Sequence, residues 1–286
     1  MDEISKISEN KLSDLKKIGL NKLKEIELNL LAQIDKICRE QEFRYSLIGG
    51  TLLGAVRHQG FIPWDDDIDI AMPRPDYERF LTYCHDNCPQ FLTICNKYEP
   101  QYGYLFAKIC DANTIMIEEN ANKNNISLGV YVDVFPVDGL GTTEEGALKI
   151  FERTEFRREL LVAANWKRYF RSKTHAWFYE PIRFVLYLLS RGVNYKKQIL
   201  SIEKEIMKNN FDESKFCGAV CGSYRKREIM PQGVYSEYIE VLFEGKSFLA
   251  LKNYDYYLKH IYGDYMQLPP EEKRITHHMF SAYKKL

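Results

Sequence analysis

The sequence predicts an α/β (α+β) fold with a largely helical C-terminal half. Three observations predict it: an amphipathic run leading into a glycine turn, several short β-type runs between Arg44 and Val137, and long charged segments of helical period beyond Gly139. At 286 residues and 45% hydrophobic, the chain can bury a substantial core. No internal repeat or low-complexity linker divides it. The change of texture near residue 140 is read as a boundary between two parts of one packed unit, residues 1–140 and 141–286.

In chain order, Leu23, Ile26, Leu30, Ile34 and Ile37 recur at three or four residues and mark an amphipathic helix ending near Glu42. A short strand, Arg44 to Ile48, then runs into Gly49-Gly50, with a helix starting near Thr51. Asp67-Ile68-Asp69-Ile70 has the period of a strand. Pro73 and Pro75 break the chain, and Asp76 to Cys88 follows as a helix with Tyr77, Phe80, Leu81 and Cys84 on one face. Further β-type runs are Phe91 to Asn96, Tyr104 to Cys110, Thr114 to Ile117 and Gly129 to Val137. Glu144 to Phe170, His175 to Leu189 and Lys196 to Asn209 have helical period. The apolar segment Trp177 to Val193 reads first as a buried packing helix, with a resting place on a membrane surface as the alternative.

Lysine plus arginine equal aspartate plus glutamate, 40 against 40, so no global field points to a nucleic acid or an anionic membrane. The first residues, MDEISKISENKLSDLKK, lack the basic-then-apolar order of a secretory signal, and no uncharged stretch approaches a membrane span. A cytoplasmic protein is expected. The seven cysteines lack the density of a disulfide framework and are expected to be reduced and mostly buried. Cys84-x3-Cys88 and Cys217-x3-Cys221 have a spacing that zinc sites use, but one that also arises by chance.

The chemistry concentrates in GGTLLGAVRHQGFIPWDDDIDIAM, residues 49–72. A strand ending at Ile48 and a helix opening after it would aim the N–H groups of Gly50, Thr51 and Leu52 outward, where they suit a phosphate oxygen. A tight turn with no ligand would need the same glycines. Asp67 and Asp69 project from one strand face while Ile68 and Ile70 enter the core on the other. Two carboxylates in one small volume repel unless a cation lies between them, and Mg2+ or Mn2+ favours such oxygen ligands. A third is Asp133, in Gly129-Val130-Tyr131-Val132-Asp133-Val134, where valines alternate with the other side chains.

An EF-hand loop from Asp65 fails, because its sixth position is Ile70 where glycine is required and its twelfth is Asp76. A sugar-nucleotide glycosyltransferase with an Asp-x-Asp metal pair stays open. So does a solvated acidic turn at Asp65 and Asp66 beside an edge strand.

These residues carry a resemblance. GGTLLGAVRHQGFIPWDDDIDIAMPRPDYERF, then YVDVFPVDG, then NYDYYLKHIYGDYMQLPPEEKRITHH, resemble the LicD family of bacterial phosphocholine transferases, with fukutin-type proteins as distant relatives. The match runs from about Tyr45 to His278 and is weakest from Gly141 to Phe211. It implies a nucleotidyltransferase-like mixed sheet flanked by helices. It also implies a CDP-alcohol donor, typically CDP-choline, passing its phosphoalcohol to a glycan hydroxyl with release of CMP. On this chain the family's phosphate-binding role falls on Gly49, Gly50 and Thr51, and its metal-binding role on Asp67, Asp69 and Asp133, the last being alternatively a general base. Peripheral contact with the inner membrane face would suit a lipid-linked acceptor.

Arg57 and Lys108 are the cationic candidates for phosphate contact, with a structural ion-pair partner as the alternative for each. Trp64 and Tyr131 are candidates to stack on a base or enclose a quaternary ammonium, against core packing as the plainer role. His277-His278 is a candidate closure over the site and is left outside the catalytic set. A nucleotidyltransferase using a nucleoside triphosphate and a non-catalytic nucleotide-binding protein complete the alternatives.

Overall fold

A computed structural model describes residues 15–87, 92–99, 101–118, 128–171, 177–274 and 280–285. Strand β1 (Lys16–Ile18) leads into helix α1 (Leu20–Glu40), β2 (Ser46–Leu47), α2 (Gly49–His58), β3 (Asp69–Pro73) and α3 (Arg74–Asn87). Then come β4 (Leu92–Cys95), β5 (Ala107–Asp111), β6 (Thr114–Glu118) and β7 (Tyr131–Gly139). Helices α4 (Glu144–Ala164), α5 (Glu180–Ser190) and α6 (Tyr195–Ile206) follow. The chain closes through β8 (Phe216–Gly218), β9 (Met230–Pro231), β10 (Tyr238–Phe243), β11 (Lys246–Leu251), α7 (Tyr254–Tyr262) and β12 (Phe280–Lys284).

The main sheet is mixed, in the order β10-β11-β2-β3-β7-β5-β4, with β8 and β9 attached beyond β7. β3 and β7 run parallel, as do β11 and β2, and the remaining neighbours on this path are antiparallel. A separate three-stranded sheet joins β1, β12 and β6. The fold class is the mixed α/β arrangement expected. Helices α4, α5 and α6 lie in succession between Glu144 and Ile206, after which the hairpin β10–β11 returns to the main sheet beside β2.

Leu30, Leu31, Ile34 and Ile37 of α1 pack with Ile68, Ile70, Val132 and Val134 of the sheet and with Tyr77, Phe80 and Leu81 of α3 in the principal core. The apolar period of α1 and α3 is what makes these helices cover a sheet. A second cluster joins Ile150, Phe151 and Leu161 of α4 to Ile199, Ile202 and Ile206 of α6. Two boundaries moved from expectation. Helix α3 opens at Arg74, immediately after Pro73 ends its strand, and Pro75 is tolerated because the first helical turn needs no N–H donor there. Helix α2 opens at Gly49 rather than near Thr51.

The segment Trp177 to Val193 corrects the reading as a buried packing helix. In α5 only Ser190 is buried, while Ile182, Val185, Leu188 and Leu189 are exposed. Apolar composition marks a helix as needing cover but does not say that the fold supplies it. The Cys217-x3-Cys221 pair is not on a helix: Cys217 lies in β8 and Cys221 in the turn beyond it. Cys88 and His277-His278 lie outside the described residues.

Candidate active site

The sheet register assembles the site. Parallel pairing sets Asp69 of β3 opposite Asp133 of β7, and antiparallel pairing sets Lys108 of β5 opposite the same Asp133. Opposed residues share a face, so Asp69, Asp133 and Lys108 form a row across three neighbouring strands. Ile68, Ile70, Val132 and Val134 fill the other face. Asp67 precedes the first residue of β3, yet the alternation already runs through it, because Asp133 N–H donates to the Ile68 carbonyl at 3.0 Å.

Before β3, one carboxylate oxygen from each of Asp65, Asp66 and Asp67 lies within 4.8 Å of the others. Asp66 is buried and its neighbours are half-buried, so a purely solvated acidic turn does not describe them. Asp69 feels the whole group. Burial first, then Asp67, Asp133 and Asp65, push its carboxyl well above the usual range, and Lys108 only partly offsets them.

The start of α2 fits against these acids. Gly49 has φ +56°, the left-handed region that glycine enters without penalty, and a Cβ there would lie 3.4 Å from Asp69 Oδ2. At Gly50 an added Cβ would come within 2.3 Å of Asp65 Oδ2, so the carboxylate sits in space that only glycine leaves. Of the N–H groups expected to be free, that of Leu52 is taken by the Ile48 carbonyl at 3.0 Å. Gly49 N–H donates to the Tyr257 hydroxyl at 3.3 Å, and the Thr51 hydroxyl accepts from Asp69 N–H at 2.8 Å. The N–H groups of Gly50 and Thr51 are the orphans of this helix start among the described residues.

The two cationic candidates differ. Lys108 is buried, its ammonium 2.7 Å from Asp133 Oδ1 and 3.4 Å from the Tyr131 ring centroid, with Tyr104 and Phe106 also facing it. The geometry is that of an ion-pair partner that positions Asp133, and it uses the Tyr131 face for a cation of the chain's own. Arg57 lies in the last turn of α2, about 10 Å along the axis from the glycines. Its Nη1 donates to the Tyr265 carbonyl at 2.8 Å, and its charge is felt by Tyr262. Trp64 has the Arg274 guanidinium 5.7 Å from its ring, which brings the C-terminal segment beside the acidic turn.

Several residues of the site went unnoticed in the sequence. Glu27 of α1 is 2% exposed, and its Oε2 has no hydrogen-bond partner. Burial, then Asp67 and Asp66, raise its carboxyl well above the usual range. The signal was present, since Glu27 occupies the apolar register of Leu23, Leu30 and Ile34, where a lone acid is costly. Tyr262 and Tyr224 share a hydrogen bond of 2.5 Å, and an added Cβ on Gly49 would lie 4.0 Å from the Tyr262 hydroxyl. Only tertiary structure brings these tyrosines to residue 49. Tyr224 also lines a cleft of about 330 Å3 with Arg158, Arg225, Lys226 and Arg227.

A divalent cation fits this donor set. Glu27, with an orphaned oxygen, and Asp69 are both raised by burial and by Asp67 and Asp133, so they stand among oxygen donors whose mutual repulsion a hard cation would relieve.

The model of the LicD/FKTN/FKRP nucleotidyltransferase domain matches residues 42–177, which include every acid and glycine of the site except Glu27. Among curated proteins, the lipopolysaccharide cholinephosphotransferase LicD of Haemophilus influenzae is 31% identical, over 94% of this chain and 99% of its own. An uncharacterised protein of Rickettsia typhi is 28% identical over 70% of this chain and 61% of its own. The mouse ribitol 5-phosphate transferase FKRP is 29% identical over 32% of this chain and 16% of its own. With the site geometry and a relative aligned nearly end to end, the chain belongs to the LicD family.

Proposed function

We propose that the chain transfers a phosphoalcohol, phosphocholine foremost, from a CDP-alcohol to a hydroxyl of a cell-surface glycan precursor of the lipopolysaccharide or teichoic acid kind, releasing CMP. The observation that carries this reading is the row of Asp69, Asp133 and Lys108 beside Asp67 and the glycine start of α2. It stands in a chain that aligns almost completely with a cholinephosphotransferase. In this reading Asp67, Asp69 and Asp133 hold Mg2+ or Mn2+, with Glu27 and Asp65 around them. When bound, the ion supplies positive charge against the donor's diphosphate.

The chain's own groups do the rest. Gly50 and Thr51 N–H groups donate to a phosphate oxygen at the positive end of α2. Lys108 holds the Asp133 carboxylate in place, and the rings around it keep water from the pair. The acceptor oxygen forms the new bond to the distal phosphorus as the bond to the bridging oxygen breaks. CMP leaves with that electron pair, and the hydroxyl proton passes to a carboxylate of the cluster. A lipid-linked precursor would be met at the inner face of the membrane.

The test is a thermal-shift panel of CDP-choline, CDP-ribitol, CDP-glycerol, CTP, UDP-glucose and UDP-GlcNAc, each with and without Mg2+. A ligand at a hundred times its Kd adds about 2.7 kcal/mol. Mg2+-dependent stabilisation by one CDP-alcohol above the rest is expected. Preference for CTP or for a UDP-sugar would replace this reading with a nucleotidyltransferase or a glycosyltransferase.

A further inference from the structure

Helix α5 and the turn before it present an apolar face that no described residue covers. Trp177 is 74% exposed, Phe178 57%, Ile182 65%, Val185 53%, Leu188 53% and Leu189 57%. Phe178, Ile182, Val185 and Leu189 follow at spacings of three or four and form one stripe. The opposite face is engaged: Phe184 and Tyr187 pack on Tyr169, and Arg183 lies over Trp166. Arg191 donates to the Ala163 carbonyl. The helix therefore rests on the end of α4 by one side and offers the other to solvent. No described helix is long and apolar enough to cross a membrane.

Charge identifies the occupant. From Leu160 to Ile202 eight basic residues stand against a single acid, Glu180, in a chain whose charges balance overall at 40 and 40. Glu180 is itself engaged by the Tyr169 hydroxyl and by Arg183. Lys167, Arg168, Arg171, Lys196 and Lys197, in the segments that flank α5 in the chain, are exposed. An apolar helical stripe with an aromatic end and a basic collar has the composition of a helix lying in the headgroup layer of an anionic bilayer. A second copy of the chain would bring the same positive collar against this one, so like charges oppose that pairing.

We infer that α5 and the turn before it dock the protein on an anionic phospholipid surface. The docking face adjoins the site. Asn165, at the end of α4, donates to the Gly103 carbonyl at 2.7 Å. From there Tyr104 and Phe106 lead to Lys108 and Asp133. A docked chain thus holds its site close to acceptors carried on lipid, a consequence that rests on the transferase reading, whereas the docking itself does not.

The experiment is co-sedimentation of the full chain with vesicles of phosphatidylcholine alone or with phosphatidylglycerol added, at near-physiological salt. Two variants accompany it, Ile182→Glu/Val185→Glu/Leu189→Glu and Lys196→Glu/Lys197→Glu, checked for unchanged melting. Binding to the anionic vesicles and a loss of about tenfold or more in each variant are expected. A blue shift of Trp177 emission, absent in Trp177→Phe, should accompany binding. Failure of the parent to bind, or equal binding by the triple variant, overturns the inference. A dimer that the triple variant dissolves overturns it in favour of a self-interface. Transfer to a soluble acceptor by the triple variant is expected to be unchanged, and its absence in the parent would count against the transferase reading alone.

Discussion

Asp69 shows how much one position can owe to its neighbours. Its carboxyl is raised by burial and by three other acids, so ionising it costs the folded chain more than the unfolded one, a cost that a bound cation would offset. Asp69→Asn is therefore expected to melt higher than the parent without divalent ions, to lose the Mg2+-induced shift, and to lose transfer activity. Paired melts with and without EDTA check it. Glu27→Gln should keep the fold and weaken the Mg2+ response by about tenfold, as supporting groups around a metal do, measured by titrating Mg2+ against melting temperature. Gly49→Ala carries a different cost. With φ +56° a side chain is strained, and a loss of about 1–2 kcal/mol in urea denaturation is expected. Gly50→Ala would instead push against the Asp65 carboxylate, and a weaker Mg2+-dependent thermal shift with little change in urea stability is expected.

Among elements, one buried network decides how the helical segment sits on the sheet. Arg74, opening α3, donates from Nε and Nη2 to the two oxygens of Asp138 at 2.6 and 3.0 Å, and reaches Glu203 of α6 at 3.5 Å. Lys97 joins Glu78 and Glu203 at 2.8 and 3.2 Å. Removing one partner leaves an uncompensated charge out of water. Arg74→Met is thus expected to cost about 3–5 kcal/mol, and the double variant Arg74→Met/Asp138→Leu to recover most of it. Chemical denaturation of the two variants measures the difference. The aromatic and apolar residues of α5 illustrate the converse, since the same apolar pattern that buries α1 leaves α5 exposed.

For the molecule as a whole, buried acids shape the response to pH. Glu228 is 3% exposed, with Oε2 unpartnered, and burial pushes its carboxyl up to about 8 from an ordinary 4.5. Between those values the folded chain keeps a proton that the unfolded chain has lost. Stability from this group is therefore full below pH about 4.5, falls as pH rises, and is gone above about 8. Glu228→Gln should gain on the parent progressively across that window. Urea melts at pH 5, 6.5 and 8.5 test it, and the difference between the two proteins isolates Glu228 from other raised carboxyls such as Glu27 and Asp69.

The sequence by itself determined the helices α1 and α3 and one face of the site. Apolar period placed α1 and α3, alternation set Ile68, Ile70, Val132 and Val134 inward, and the acids opposite them followed from a period of two. Local pattern reaches that far because side-chain direction is a property of each element alone. Tertiary structure decided what pattern does not encode: the register that sets Asp69, Asp133 and Lys108 in one row, and Glu27 arriving on α1. It also brought Tyr257 and Tyr262 to the glycine turn from more than 200 residues away, and left the stripe of α5 bare. Each of these depends on which surfaces meet. Packing settles that for the whole chain at once, with no single segment carrying the information.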